Sequence, residues 1–168
     1  MSNRVLGIDP GLSRCGYGCV EGRIGKPSLV GGGVIRTDPH TALPLRLAAL
    51  ARDLRSVVSD YAPVSVAVEQ VFFQTNVRTA IGVAQAAGVA LLVAAEHGLA
   101  VQTYTPTQVK TAIAGYGGAD KLAVTQMVQQ LLRLDGPPRP ADVADALALA
   151  LCHLHAAPLQ SRVTQADR

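Results

Sequence analysis

Charge is scarce in this chain. Only 16% of its 168 residues are Asp, Glu, Lys or Arg, against 49% hydrophobic. That length suits one compact α/β domain and leaves little room for two, and each charge inside an apolar stretch needs a reason. Cysteine is scarce too. Cys15, Cys19 and Cys152 form an odd set without framework spacing, which excludes a disulfide scaffold and suits a reducing compartment. With no Cys or His pair at zinc spacing, Cys15 and Cys19 read as small strand residues. The first apolar run is short and ends in Asp9, unlike a signal peptide. The longest uncharged stretch, between Arg78 and Glu96, falls just short of a membrane span and reads as a buried or helix-packing segment. Nothing else in the composition asks for a membrane. The net charge of +3, with a pI near 9.0, permits a nucleic-acid partner without demanding one.

Strands are expected over 4–9, 14–21 and 28–37, with a Pro10-Gly11 turn signal after the first. The period then changes. Leu43, Leu47, Leu50, Leu54, Val57 and Val58 recur at three and four, the mark of an amphipathic helix ending near Pro63. A strand over 64–69, a long helix over 76–97 and a strand over 99–104 follow. Thr105-Pro106 is a cap and first-turn pair for a helix over 106–114. Helices over 120–133 and 141–155 complete the domain, which spans 1–157 and leaves a polar tail over 158–168. Three antiparallel strands followed by helix-connected strands mean one mixed five-stranded sheet flanked by helices. There is no internal repeat and no linker.

Acids are rarer still, 12 in all, and four stand in apolar surroundings. Asp9 closes "VLGID" and Glu69 closes "VSVAVE", both central-looking strands; Asp142 and Asp145 share a face of "ADVADALALA". Taken singly, Asp9 is a turn former and Asp142 a first-turn acid. Asp145 lies further into its helix. Glu69 is hardest to dismiss, because strands disfavour Glu and a buried carboxylate costs several kcal/mol unless paired or liganded. Clustered carboxylates repel, and the usual remedy is a divalent cation with a taste for hard oxygen ligands, Mg²⁺ or Mn²⁺.

"GIDPG", "VEQVFF" and "ADVADALALA", together with "QVK" at 108–110, resemble in order and spacing the RuvC-type Holliday-junction resolvases, bacterial endonucleases with a ribonuclease-H-like fold. The resemblance covers essentially the whole chain. It implies that Asp9, Glu69, Asp142 and Asp145 are a metal-binding catalytic tetrad for two Mg²⁺ ions, with Mn²⁺ as a substitute. It also implies paired symmetric nicks in four-way DNA, leaving 5′-phosphate and 3′-hydroxyl ends. A homodimer, a branch-migration helicase complex of the RuvA/RuvB type as partner, and a bacterial cytoplasmic, nucleoid-associated setting go with it.

The chain's two Phe residues are adjacent, Phe72 and Phe73. Alternation puts them on opposite faces, so one packs inward and the other is free to act as a wedge on distorted DNA; the resemblance favours Phe72. Lys110 and Lys121 are the only lysines after Lys26. Either could be an ordinary solvated lysine, but the family pattern makes both phosphate contacts near the cut, Lys121 with a catalytic share. Arg78 is a further candidate for backbone contact. "GYGGADK" lacks the Gly-Lys-Ser/Thr ending of a P-loop and reads as a loop over the DNA. The Ala- and Gly-rich helix over 76–97 reads either as packing on its own sheet or as a two-fold interface, which would give each strand of a junction its own site. Three rivals stand beside this reading: an actin-like or sugar-kinase ATPase loop, for which the chain is short; a junction-binding protein with a decayed site; and a related nuclease acting on RNA.

Overall fold

Strand β1 (Arg4–Asp9) is the middle of five. The computed structural model describes residues 3–23, 25–71 and 77–166, giving the backbone alone for Val77, Arg78 and 157–166. β1 pairs antiparallel with β2 (Arg14–Arg23), which pairs with β3 (Lys26–Arg36). On its other side β1 runs parallel to β4 (Ser65–Glu69), and β4 to β5 (Ala100–Tyr104). The sheet order is therefore β3-β2-β1-β4-β5, the mixed sheet expected.

Period-two alternation splits the core. Leu6, Ile8, Cys15, Cys19, Val66 and Val68 point to one face, under α1 (Leu43–Tyr61) and α2 (Val77–Glu96). Val5, Val20 and Ala67 point to the other, under α3 (Pro106–Ala114), α4 (Lys121–Leu132) and α5 (Ala141–Ala166). The three cysteines are free and buried.

α5 lies directly on β1 and β2, and two glycines make that possible. A Cβ at Gly7 would stand 1.9 Å from the Ala146 carbonyl oxygen, and one at Gly16 2.3 Å from that of Asp142. The sequence predicts an end to α5 near residue 155. The helix instead runs to Ala166: Pro158 removes one backbone bond, and no glycine follows it to complete the stop. Thr105 caps α3 as expected, its hydroxyl accepting from the Gln108 N–H while the Gln108 side chain accepts from the Thr105 N–H.

Helix α2 divides the two readings of its small residues. Ala86, Ala87, Ala90 and Ala94 are buried on the helix's own sheet, so for them packing is the answer. Ile81, Leu91 and Leu92 stay exposed. The window Thr79–Glu96, with mean hydropathy 1.6, meets the length and composition of a membrane span, where the sequence reading placed it just short. Its inner face is nonetheless part of the core.

Candidate active site

Asp9 and Glu69 end neighbouring parallel strands, and alternation sends both side chains to the α5 face: Ile8 and Val68, paired in register, point the opposite way. The carboxyl ends of strands in an open α/β sheet are where such folds bind ligands. α5 supplies the other two acids. Asp142 is carried over Gly16, whose register partner is Asp9, and Asp145 lies one turn on. A cleft of about 340 Å³ is lined by Asp9, Glu69, Asp145, Lys110 and Lys121. Larger hollows, one of about 710 Å³ beside Pro137–Pro140 and one of about 510 Å³ between α3 and α5, bring no two carboxylates together; chemistry, not size, selects the smaller cleft.

The electrostatics mark the acids as mutually coupled. Burial, then Glu69, Asp145 and Asp142, push Asp9 from the ordinary 3.8 up to about 7, with Lys121 opposing. Burial and Asp145 also raise Glu69, again against Lys121. Asp142 goes the other way, held low by the Arg14 guanidinium. Lys121 donates to Asp145 at 2.6 Å, and that bond, with Asp145, Asp9 and Asp142 nearby, raises its pKa. Asp120 caps α4 by accepting from the Ala123 N–H, which puts Lys121 on the first residue of the helix. A cation there meets the positive end of the helix dipole, so Asp145 and the cleft hold it against a local cost.

Among the described residues, no three Asp, Glu, His or Cys side chains stand close enough to share one ion as placed. The reason is visible. Asp142 is turned onto Arg14, and Asp145 onto Lys121. The donor set still fits a hard divalent cation, being all carboxylate oxygen. Asp9, on the central strand, carries a desolvated charge that a cation would relieve.

Of the residues expected from sequence, Asp9, Glu69, Asp145, Lys110 and Lys121 meet at the cleft, and Asp142 flanks it. Phe72 lies outside the described residues, and of Arg78 only the backbone place at the start of α2 is described. Sequence reasoning missed three arginines. Arg14 binds Asp142. Arg36 is its register partner on β3 and is exposed. Arg46 donates from Nε to the Thr37 hydroxyl and from its terminal nitrogen to the Ser13 hydroxyl, at 2.9 and 2.7 Å, and so pins the turn that follows Asp9. For Arg14 and Arg36 the signal is a cation at a strand end, since two like charges facing across a ladder are costly unless something else binds them; the Arg46 contacts, made from α1, carry no such signal.

Residues 5–153 match the family model described as crossover junction endodeoxyribonuclease RuvC. The chain belongs to the RuvC family. A RuvC of Salinispora arenicola is 57% identical over 97% of this chain and 94% of its own. Two solved structures of Thermus thermophilus RuvC cover 94% of this chain and 96% of theirs: one at 39% identity with a TM-score of 0.87, the other, in complex with a Holliday junction substrate, at 38% and 0.89. The resemblance drawn from the three motifs and the ribonuclease-H-like sheet both stand with the RuvC family.

Proposed function

We propose that this chain is a structure-selective, divalent-metal-dependent endonuclease that resolves four-way DNA junctions by paired symmetric nicks, in recombination and repair. The observation that carries it is the convergence of Asp9 and Glu69, on adjacent strand ends, with Asp145 of α5 in one cleft of a RuvC-family chain. In this reading Asp9, Glu69, Asp142 and Asp145 hold the cations, Mg²⁺ with Mn²⁺ as substitute. When bound, a pair of such ions supplies activation of a water and neutralisation at the departing oxygen. The strands and α5 fix the backbone under each carboxylate, so only the side chains of Asp142 and Asp145 have to turn, from Arg14 and from Lys121. Lys110 and Lys121, across the cleft, bind the phosphate and offset charge that grows on it. The 3′ oxygen leaves, and the 5′ end keeps the phosphate. Phe72 is proposed as the wedge and Arg78 as a backbone contact. The domain over 1–157 carries the whole site.

The test compares a synthetic four-way junction, a linear duplex of the same sequence and an RNA–DNA hybrid, each with Mg²⁺. Paired nicks confined to the junction are expected, with Lys121→Ala losing far more cutting than junction binding. Binding without cutting, in Mg²⁺ and in Mn²⁺, would leave a junction-binding module instead; cutting of the hybrid alone would move the substrate to RNA.

A junction presents two equivalent strands, and a two-fold dimer offers one site to each. Ile81 and Leu92, 49% and 54% exposed on the outer side of α2, are the apolar surface in support of that assembly. Leu92→Glu is expected to turn a dimer into a monomer in sedimentation at micromolar concentration and to uncouple the two nicks. A monomeric wild type would reject the dimer. A branch-migration helicase complex as partner and a place at the nucleoid complete the reading.

A further inference from the structure

Arg14 is the first residue of β2, and Asp142 lies 128 positions along the chain in the first turn of α5. The Arg14 guanidinium donates twice to a single oxygen of Asp142, from Nε at 3.2 Å and from a terminal nitrogen at 2.5 Å. Gly16 fixes the backbone of Asp142 against β2, so only the Asp142 side chain is free to choose between Arg14 and the cleft. It has chosen Arg14: Asp142 does not line the cleft that Asp9, Glu69 and Asp145 line. The Arg14 side chain is 41% exposed. Its release into solvent is therefore cheap, and its β3 partner is another arginine, Arg36, which gives it no reason to stay on the sheet.

We propose that Arg14 is a built-in competitor for the cation site: its guanidinium occupies the Asp142 carboxylate, and a divalent cation gains that ligand only as Arg14 lets go. This rests on the cation site proposed above. Arg14 acts through Asp142 and touches no reacting atom, so it is a positioning residue. Its effect is to keep the isolated site from closing on a cation too readily, while neutralising part of the acid cluster. An ion pair this exposed is worth little, so the competition is modest, about threefold in the cation concentration needed.

Thermal unfolding of the full chain without DNA, titrated with Mg²⁺ and separately with Ca²⁺, tests it. The wild type is expected to gain stability with cation, and Asp9→Asn is not. Arg14→Gln should reach half-saturation at about one third of the wild-type cation concentration, and Arg14→Lys, which keeps the charge, should track the wild type. A merely structural arginine would lower the melting temperature without moving the half-saturation point downward. If Arg14→Gln half-saturates at the wild-type concentration or above it, while Asp9→Asn still abolishes the shift, Arg14 is no competitor and the cation site stands. If the wild type shows no cation-dependent shift, the cation site itself fails and the competition falls with it.

Discussion

Replacing Asp9 with Asn should abolish junction cleavage, by about a thousandfold or more, and at the same time make the cation-free protein more stable. The two effects have one cause. Asp9 is held where its charge is badly solvated and faces three other acids. Among the described residues Lys121 answers that charge, and only in part. A thousandfold corresponds to about 4 kcal/mol of transition-state stabilisation, which is what losing a cation ligand beside the reacting phosphate removes. Junction binding, which rests on the basic residues, should persist in the variant.

The pH dependence gives the sign. Asp9 is raised from 3.8 to about 7 in the folded state, so the folded chain holds the proton more tightly than the unfolded chain does. Well below 3.8 the carboxyl is neutral in both states and costs nothing. Between 3.8 and 7 the unfolded state ionises first, and the wild type loses stability as pH rises; above 7 the loss levels off. Each unit is worth about 1.36 kcal/mol, so the penalty is on the order of 4 kcal/mol. Asn carries no such penalty. Equilibrium unfolding without cation should therefore bring the two proteins together below about pH 3 and put the variant ahead at pH 8. Saturating Mg²⁺ at pH 8 should reverse that order, because it stabilises only the chain that binds it. A variant no more stable than the wild type at pH 8 would mean that Asp9 is already compensated and is not waiting for a cation.

Much of this was legible in the sequence, and the boundary is physical. The strands ending in Asp9 and Glu69 were readable because a carboxylate in a run such as "VSVAVE" contradicts both strand preference and burial. The i, i+3 spacing put Asp142 and Asp145 on one face of one helix. Lys121 was singled out, yet its place on the first residue of α4 depends on Asp120 acting as the cap. What periodicity does not carry is which side chain meets which across the sheet. The bond between Arg14 and Asp142 joins residues far apart in sequence, and the Arg46 contacts with Thr37 and Ser13 join α1 to two strand ends. The C-terminal helix, expected over 141–155 with a polar tail beyond, runs on to Ala166, because polar residues after the apolar stretch do not by themselves end a helix. A glycine in a strand, as in "SLVGGGVIRT", marks either weakness or close backbone approach, and sequence alone does not choose between them.

For β1 the choice is close approach, and Gly7→Ala should show how much rests on it. A single methyl at that position would sit 1.9 Å from the Ala146 carbonyl oxygen and 2.8 Å from the Ala150 nitrogen. Both are helix backbone, so no side chain can turn aside; the strand and α5 must part. Overpacking of that kind costs about 3 kcal/mol and sometimes more, which in a domain of this size lowers the melting temperature by roughly 6–12 °C. Activity should fall further than stability explains. Asp142 and Asp145 ride on the same helix, and a displacement of about 1 Å in such a constellation costs on the order of a hundredfold. Assaying well below the melting temperature separates the two losses. Gly136→Ala is the control: nothing lies within 4 Å of the added methyl, and the change should be neutral or gain about 0.4–1 kcal/mol through the unfolded state. Equal stability and equal cutting in Gly7→Ala and the wild type would mean that α5 can shift on the sheet without moving its acids. In that case the helix does not fix the site, and the rigidity argued for the four carboxylates would have to come from the strands alone.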